Sequence, residues 1–343
     1  MTISGSNPNQ CVLLRHRPDG LPTPDCFDAT TRSLPDLDNG SVRCKTLYVS
    51  LDPYIRSVIA GNHMGHGIAP GEVVPGGTIS QVVESHHPDW PQGTLVRCQG
   101  GWQQFSDHLP EALHRLPKGL SRPSLALSIL GMPGLTAFAG MHRLGEVRAG
   151  DTVVIPAAVG GVGAMAGQLA VRAGARTIAI TSGDEKRQIA LDGLGYSACI
   201  DREQDDVAAA LAKLAPEGVS LYFDLVGDPL LTTVSQQLAV GGRIILCGLM
   251  GDYNGAQKTT GPPPGLWIGK RATVKGLVVY DFEHERQDFE QTYTPLVEDG
   301  SIHANEECHV GLELAPEAFC RLMRGENTGK VVVQVAPMEP DLL

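Results

Sequence analysis

The stretch with the clearest chemical meaning reads Ala157-Ala158-Val159-Gly160-Gly161-Val162-Gly163. It follows the β-branched run Thr152-Val153-Val154-Ile155-Pro156 and leads into an alanine-rich segment that reads as a helix over about 161–173. A glycine-rich turn at a helix N-terminus offers unpaired backbone N–H groups and the positive end of the helix dipole, and the missing Cβ atoms let a diphosphate come close. The spelling is Ala-x-x-Gly-x-x-Gly rather than Gly-x-Gly-x-x-Gly, so its force comes from the strand before it and the helix after it. Gly160, Gly161, Val162 and Gly163 are therefore read as the pyrophosphate-binding residues for a dinucleotide.

The second strand of such a unit chooses between the two nicotinamide cofactors, because an acid at its tip would hold the ribose 2′-hydroxyl of NAD. Here Thr177-Ile178-Ala179-Ile180 runs into Thr181-Ser182-Gly183 with no carboxylate at the tip, and Lys186 and Arg187 follow Asp184 and Glu185. A hydroxyl at Ser182 and a cation at Lys186, one turn into the next helix, suit a 2′-phosphate, so NADPH is expected over NADH. The competing reading of Lys186 is a solvated helix residue.

These residues need elements to hold them. Strands are expected at 152–156, 176–181, 197–200, 219–224 and 242–247 with helices between, the alternation of a parallel sheet with helical crossovers. On the first of those helices Val162, Met165, Ala166, Leu169 and Ala170 share one face at period 3.6. A helical stretch over 125–144 precedes the sheet, and a further strand at 273–280 follows the proline-rich turn 261–265. Upstream of about 125 the short runs 45–50, 77–83 and 94–98, separated by turn residues, read as an all-β unit, which a helix at 315–324 and a strand at 330–335 can rejoin.

The length of 343 residues favours two domains at about 150 residues each. A net charge of −11 without a dense basic run argues against nucleic acid as a partner. No apolar stretch approaches the roughly 18–20 residues that span a bilayer, so no membrane partner is expected, and the opening Met1-Thr2-Ile3-Ser4-Gly5-Ser6 lacks the basic and apolar regions of a leader. A cytoplasmic location is expected. The nearest two of the eight cysteines are Cys308 and Cys320, too far apart for a Cys-x-x-Cys zinc clip, so buried thiols in a reducing compartment are the reading.

Beyond the glycine loop, several strings stand in an order and spacing that resemble the zinc-independent medium-chain dehydrogenase/reductases, specifically the prostaglandin reductase, 2-alkenal reductase and curcumin reductase group. They are Leu51-Asp52-Pro53-Tyr54-Ile55-Arg56, Ser80-Gln81-Val82-Val83-Glu84-Ser85, Gly131-Met132-Pro133-Gly134-Leu135-Thr136-Ala137, Cys247-Gly248 with Tyr253-Asn254, and Asn327-Thr328-Gly329-Lys330. The run Ser85-His86-His87-Pro88-Asp89 leans toward the curcumin-reductase branch. The resemblance covers nearly the whole chain. It implies an α/β architecture: a GroES-like β-domain over 1–125, completed by about 311–343, and a Rossmann doubly wound parallel sheet over 126–310, with the active site between them. It also implies a homodimer joined through the Rossmann sheets.

The same resemblance implies NADPH-dependent reduction of the carbon–carbon double bond of α,β-unsaturated ketones and aldehydes. Carried over by position, Lys186 meets the 2′-phosphate, Gly160 to Gly163 the pyrophosphate, and Asn327 helps close on the cofactor. Met132, Thr136 and the backbone of Leu277, Val278 and Val279 surround the nicotinamide, and Ser182 and Cys247 complete the cofactor-binding set. Two positions depart from the mammalian prostaglandin reductases. Asp201-Arg202 replaces an Asn-Tyr pair, so Arg202 takes the place of a tyrosine contact to the adenosine phosphate, and Leu225 in Phe223-Asp224-Leu225-Val226-Gly227 replaces an asparagine amide.

Zinc-dependent enzymes of this architecture need a Cys, a Gly-His-Glu and a second Cys or Asp. The nearest string, Gly65-His66-Gly67, lacks the glutamate, and no metal is expected. What remains is conjugate addition, with hydride passing to the β-carbon and an enolate forming. Tyr253 is the candidate that donates a hydrogen bond to the enolate oxygen, assisted by the nicotinamide ribose, and it also counts among the cofactor-binding residues. Either Tyr253 or water supplies the α-carbon proton. Tyr54 either lines the substrate cleft or is a core tyrosine in a tight Asp-Pro turn, and Trp102 reads as a packing residue whose apolar face can touch a substrate. Two other functions stay open: an NADPH quinone oxidoreductase, and an NADP-binding scaffold without catalysis, for which Leu225 is the feature to watch.

Overall fold

A computed structural model of the chain describes residues 8–253 and 260–337, the side chains of 252 and 253 excepted. The chain divides into two compact units. The first contains the described residues up to Leu127, Glu307–Asn327, and those from Val331 onward; the second contains Ser128–Glu306 and Thr328–Lys330. Ser128 already belongs to the second unit, where its hydroxyl donates to the Glu306 carboxylate.

In the first unit, β-branched runs broken by glycine and proline form strands. A hairpin pairs β1 (Pro8–Leu14) with β2 (Phe27–Ser33). Next come β3 (Val42–Ser50), the short helix α1 (Ile55–Ile59), β4 (Thr78–Ser85), β5 (Leu95–Cys98), β6 (Phe105–His108) and β7 (His114–Arg115). β3 pairs antiparallel with both β4 and β6, and β5 pairs antiparallel with β4 and β7. Val42, Cys44, Val82, Trp90, Val96, Cys98 and Leu113 fill one core of this unit.

The second unit is built on α2 (Met132–Phe138), β8 (Thr152–Pro156), α3 (Gly161–Arg172), β9 (Arg176–Thr181), α4 (Asp184–Gln188), β10 (Ala198–Asp201), α5 (Val207–Leu214) and β11 (Val219–Asp224). It continues through α6 (Leu230–Gln236), β12 (Leu238–Leu246), α7 (Met250–Tyr253), α8 (Pro264–Lys270), β13 (Thr273–Gly276) and α9 (Arg286–Glu298). Its six strands stand in the order β10-β9-β8-β11-β12-β13, every neighbouring pair parallel. The chain moves outward from β8 to β10, then restarts on the other side of β8 with β11. That reversal is the switch point of a Rossmann sheet, and ligands of such sheets lie outside the carboxyl ends of the strands there.

The chain then enters β14 (Glu306–Val310), α10 (Ala315–Met323) and β15 (Lys330–Gln334), and β15 pairs antiparallel with β3. Together β14-β15-β3-β4-β5-β7, with β6 on β3, make a seven-stranded sheet.

Three expected elements differ from those formed. The 125–144 helix is split into a 3-10 turn over Pro123–Leu127, α2, and a wider turn over Ala139–Leu144. Pro133 explains the break, because proline lacks the N–H a helix interior needs and is tolerated only in the first turn, where it sits here. β12 begins at Leu238, running through Gly241 and Gly242. The strand expected over 273–280 ends at Gly276, and a 3-10 turn takes over at Val279, so Leu277, Val278 and Val279 lie beyond the ladder.

Candidate functional site

The site is built on the carboxyl ends of β8, β9, β11, β12 and β13. After Pro156 the backbone enters the left-handed region at Ala157 (φ 49°) and doubles back so that Gly160 N donates to Ala157 O at 3.0 Å. Gly160 caps α3, and its carbonyl accepts from Ala164 N at 2.8 Å. The first N–H groups of α3 have no intrahelical acceptor and point out of its start. A Cβ on Gly163 would lie 2.5 Å from Ala157 O and 2.7 Å from Ala158 Cα, so only glycine lets the helix begin this close to the loop. A Cβ on Gly161 would meet Lys330 Cδ at 2.8 Å and Pro133 Cβ at 3.1 Å, whereas one on Gly160 would meet only Ala157 O, at 3.3 Å. The cradle thus has one lean face at Gly160, with unpaired donors beside it, which fits a pyrophosphate.

Two side chains brace this loop. Tyr196, only 4 % exposed, donates its hydroxyl to Gly163 O at 2.8 Å, with Ala158 O at 3.5 Å. Burial pushes the pKa of that phenol well above the ordinary tyrosine value, so it stays a donor. Its ring lies against Gly167 of α3, where a Cβ would come within 2.2 Å of Tyr196 Cζ. Asn305 donates from Nδ2 to Val159 O at 3.2 Å and to Thr328 O at 2.7 Å, and its main-chain oxygen accepts from Lys330 N at 2.8 Å. Neither residue stands out in the sequence. The Gly195-Tyr196 pair carried the only local signal, a large aromatic directly after a turn glycine.

The residues expected at the 2′-phosphate gather at the carboxyl ends of β9 and β10. Thr181 is registered against Asp201, and Arg202 N donates to Thr181 O at 3.0 Å. Gly183, in a positive-φ conformation (79°), caps α4, whose first turns carry Lys186, and its N–H donates to the buried Asp201 carboxylate at 3.1 Å. Ser182 and Lys186 are half-buried and Arg202 is exposed. The Asp201 carboxylate also accepts from Glu203 N at 3.0 Å, so it is engaged by backbone donors.

At the centre of the sheet Asp224, fully buried, ends β11. Its Oδ1 accepts from Tyr222 Oη at 3.0 Å, Val226 N at 3.0 Å and Gly227 N at 2.9 Å, while its main-chain oxygen accepts from Cys247 N at 2.9 Å and Gly248 N at 3.1 Å. One residue thereby ties together two loops, its carboxylate holding the one after β11 and its main-chain oxygen the one after β12. Its Oδ2 is buried without a hydrogen-bond partner. Burial raises the Asp224 pKa, with the hydrogen bonds from Gly227, Val226 and Tyr222 opposing the shift. Burial and then the Asp224 charge push the Cys247 thiol up to about 12, so it is no nucleophile at neutral pH.

Thr136 donates its hydroxyl to Met132 O at 2.8 Å, and Met132 opens α2. Leu277 N donates to Leu246 O at 2.9 Å, which carries Leu277, Val278 and Val279 alongside the end of β12. Asn327 closes a segment of the first unit, immediately before Thr328–Lys330 of the second. Tyr253 is the last residue of α7; its side chain, and Asn254, lie outside the described residues. In the first unit Tyr54 caps α1, half-buried, its ring 5.3 Å from that of His63. Trp102 has to be corrected: it is fully buried, stacked on Phe27 at 5.4 Å and edge-on to Phe319 at 5.7 Å, so no face is left for a substrate.

Sheet order, switch point and glycine cradle together define a Rossmann-type oxidoreductase. Residues 10–116 match the family model described as the N-terminal domain of oxidoreductase, and residues 161–299 the one described as zinc-binding dehydrogenase. Among the described residues, no group of three or more His, Cys, Asp or Glu side chains is arranged to hold a metal ion. The chain is 36 % identical to the NADPH-dependent curcumin reductase of Escherichia coli (strain K12), over 96 % of this chain and 97 % of that protein. It is 34 % identical to prostaglandin reductase 1 of Bos taurus, over 92 % and 95 %. The crystal structure of CurA in complex with NADPH from Vibrio vulnificus superposes with a TM-score of 0.91 at 37 % identity, covering 96 % of this chain and 99 % of that one. The chain belongs to the zinc-independent medium-chain dehydrogenase/reductase family, in the group of the curcumin, prostaglandin and 2-alkenal reductases.

Proposed function

We propose that the protein reduces the carbon–carbon double bond of α,β-unsaturated ketones and aldehydes with NADPH. The observation that carries this reading is the cradle at the start of α3, lean at Gly160 and lined by unpaired N–H groups, on a chain matching such reductases from end to end. In it Gly160, Gly161, Val162 and Gly163 hold the pyrophosphate. Ser182, Lys186 and Arg202 hold the 2′-phosphate. Met132, Thr136 and the backbone of Leu277, Val278 and Val279 surround the nicotinamide, Cys247 belongs to the cofactor-binding set, and Asn327 helps close on the cofactor. NADPH supplies the hydride that the β-carbon receives.

The chain's own work is then to bear charge and move one proton. As the β-carbon is reduced, negative charge collects on the carbonyl oxygen, and a hydrogen bond from Tyr253 Oη stabilises that enolate. The α-carbon is protonated by Tyr253 or by water. Tyr54 lines the substrate side in this reading. We assign residues 1–125, completed by 311–343, to the substrate domain and 126–310 to the cofactor domain.

We further propose a cytoplasmic homodimer joined through the Rossmann sheets. β13 is one of the two edge strands of its sheet, and Ile268 on the preceding α8 is 76 % exposed, a pattern that suits an isologous sheet-edge contact. The eight cysteines are free thiols, which suits a reducing compartment. No described helix is long and apolar enough to cross a membrane.

The test is a panel of enones, enals and quinones with NADPH and NADH, read as coenzyme oxidation and as product mass. Saturated ketones and aldehydes with NADPH are the expected result. Turnover confined to quinones, or tight NADPH binding with no reduced product, overturns it. Light scattering after size exclusion reads the dimer, and a mass equal to one chain removes it.

A further inference from the structure

α3 holds a distant stretch of backbone as well as presenting N–H groups at its start. The buried Gln168 accepts from His303 N at Oε1, 2.7 Å, while its Nε2 donates to His303 O at 3.0 Å and to Ala164 O of the helix itself at 2.9 Å. Both main-chain groups of His303 are thereby fixed to the helix. Three residues on, the Glu306 carboxylate accepts from the Ser128 hydroxyl, so the segment 303–306 is held at each end and stands as a post on α3.

From that post the Asn305 amide reaches two ways. Val159 O belongs to the glycine loop and Thr328 O to the residue after Asn327; both oxygens only accept, and the two N–H bonds of one amide nitrogen serve them both. The main chain adds a third tie through Lys330 N and Asn305 O at 2.8 Å. Gly329 lies so close that a Cβ there would come within 2.8 Å of Asn305 O and 3.1 Å of Asn305 Nδ2, so the approach needs glycine. The segment Thr328–Lys330 belongs to the second unit, while its chain neighbours Asn327 and Val331 belong to the first. One side chain therefore joins the back of the pyrophosphate loop to the stretch that follows Asn327.

We propose that Asn305 is a positioning residue for NADPH, which sets the glycine loop and the segment carrying Asn327 at their bound spacing before the coenzyme arrives. The inference rests on the reading of Asn327 as a residue that helps close on the cofactor. Without the tie, loop and segment are ordered only as NADPH binds, and that ordering cost subtracts from affinity. Asn305 acts through the two carbonyls it holds, so its loss and the loss of Asn327 remove parts of one interaction. Their effects on NADPH binding are then not additive.

The experiment is a fluorescence titration of the full chain with NADPH, which returns the number of sites and the Kd separately. Asn305→Ala removes both donors without adding charge near the pyrophosphate loop, and Asn327→Ala with the double variant completes a cycle. Asn305→Ala is expected to raise the Kd about tenfold at full stoichiometry, the scale of two lost hydrogen bonds. With Asn327 already alanine the same change should raise it less than about threefold. Gly329→Ala pushes the segment off Asn305 with the amide intact, and it should weaken NADPH as well. A side chain that only stabilises the fold gives another pattern, fewer binding sites with the Kd unmoved, and that result overturns the proposal. So does a tenfold loss in both backgrounds. If Asn327→Ala binds NADPH like the parent, the reading of Asn327 falls and the proposal with it, whereas the reductase reading stands or falls on the product formed from an enone.

Discussion

The hydroxyl of Tyr196 donates to the carbonyl oxygen of Gly163 at 2.8 Å, and the ring that carries it occupies the space a side chain at Gly167 would need. The start of α3, which presents the phosphate-binding N–H groups, is thereby held from behind by one aromatic residue. Tyr196→Phe keeps the ring and removes the donor, leaving a buried carbonyl without its partner. The expected loss is about 1–3 kcal/mol of unfolding free energy together with weaker NADPH binding. Gly167→Ala forces the ring to move and should cost about as much through overpacking. Denaturant unfolding and coenzyme titration check both; unchanged stability in both variants would show that the brace is idle.

At the other end of the cofactor, Lys186→Ala should weaken NADPH by about 1.5–3 kcal/mol, the scale of a hydrogen bond to a charged group, and leave NADH nearly untouched. Fluorescence titration with both coenzymes decides it. Equal losses would move the 2′-phosphate away from α4.

Tyr253→Phe tests the enolate donor. A donor acting only as charge develops lowers kcat while NADPH affinity stays put, with an expected cost of about 2.7–4 kcal/mol in the barrier. Steady-state kinetics on one enone, beside a coenzyme titration, separate the two effects. A kcat equal to that of the parent protein would make Tyr253 a bystander.

The buried carboxyl of Asp224 gives a pH signature. Burial raises its folded-state pKa above the ordinary value, so the folded chain binds this proton more tightly than the unfolded chain. Its contribution to stability therefore grows as pH falls from neutral through the raised folded pKa, and levels off below the unfolded value. Asp224→Asn cannot titrate. The stability difference between the parent and this variant should shift in the parent's favour on acidification across that window. A flat difference shows the carboxyl to be unperturbed, and one that moves the other way shows its folded-state pKa to be lowered; either outcome overturns the prediction.

Much of the second unit is legible along the chain because each strand is a β-branched run that turn residues cut off. β8, β9 and β11 begin and end where those runs do. The 125–144 segment misleads because helix-forming composition hides the one residue, Pro133, that decides where a helix can begin. Val278 and Val279 have strand character yet leave the ladder, since among the described residues β13 pairs only with β12 and β12 ends at Leu246. The glycine turn is visible for a related reason: its chemistry is local. Its braces are not, because the Tyr196 and Asn305 contacts reach across 33 and 146 positions. Trp102 shows the same limit, its surroundings coming from Phe27 and Phe319, one far upstream and one far downstream.

The pairing of β15 with β3 sets an order of events on the ribosome. β3 meets β4 and β6 within the first third of the polypeptide, but its remaining edge waits for residues 332–334. Until residues 332–334 have been made that edge is an open template for neighbouring nascent chains. The Rossmann strands are all synthesised by Gly276, so vectorial synthesis can finish that sheet first and leave closure of the earliest-made segment for last.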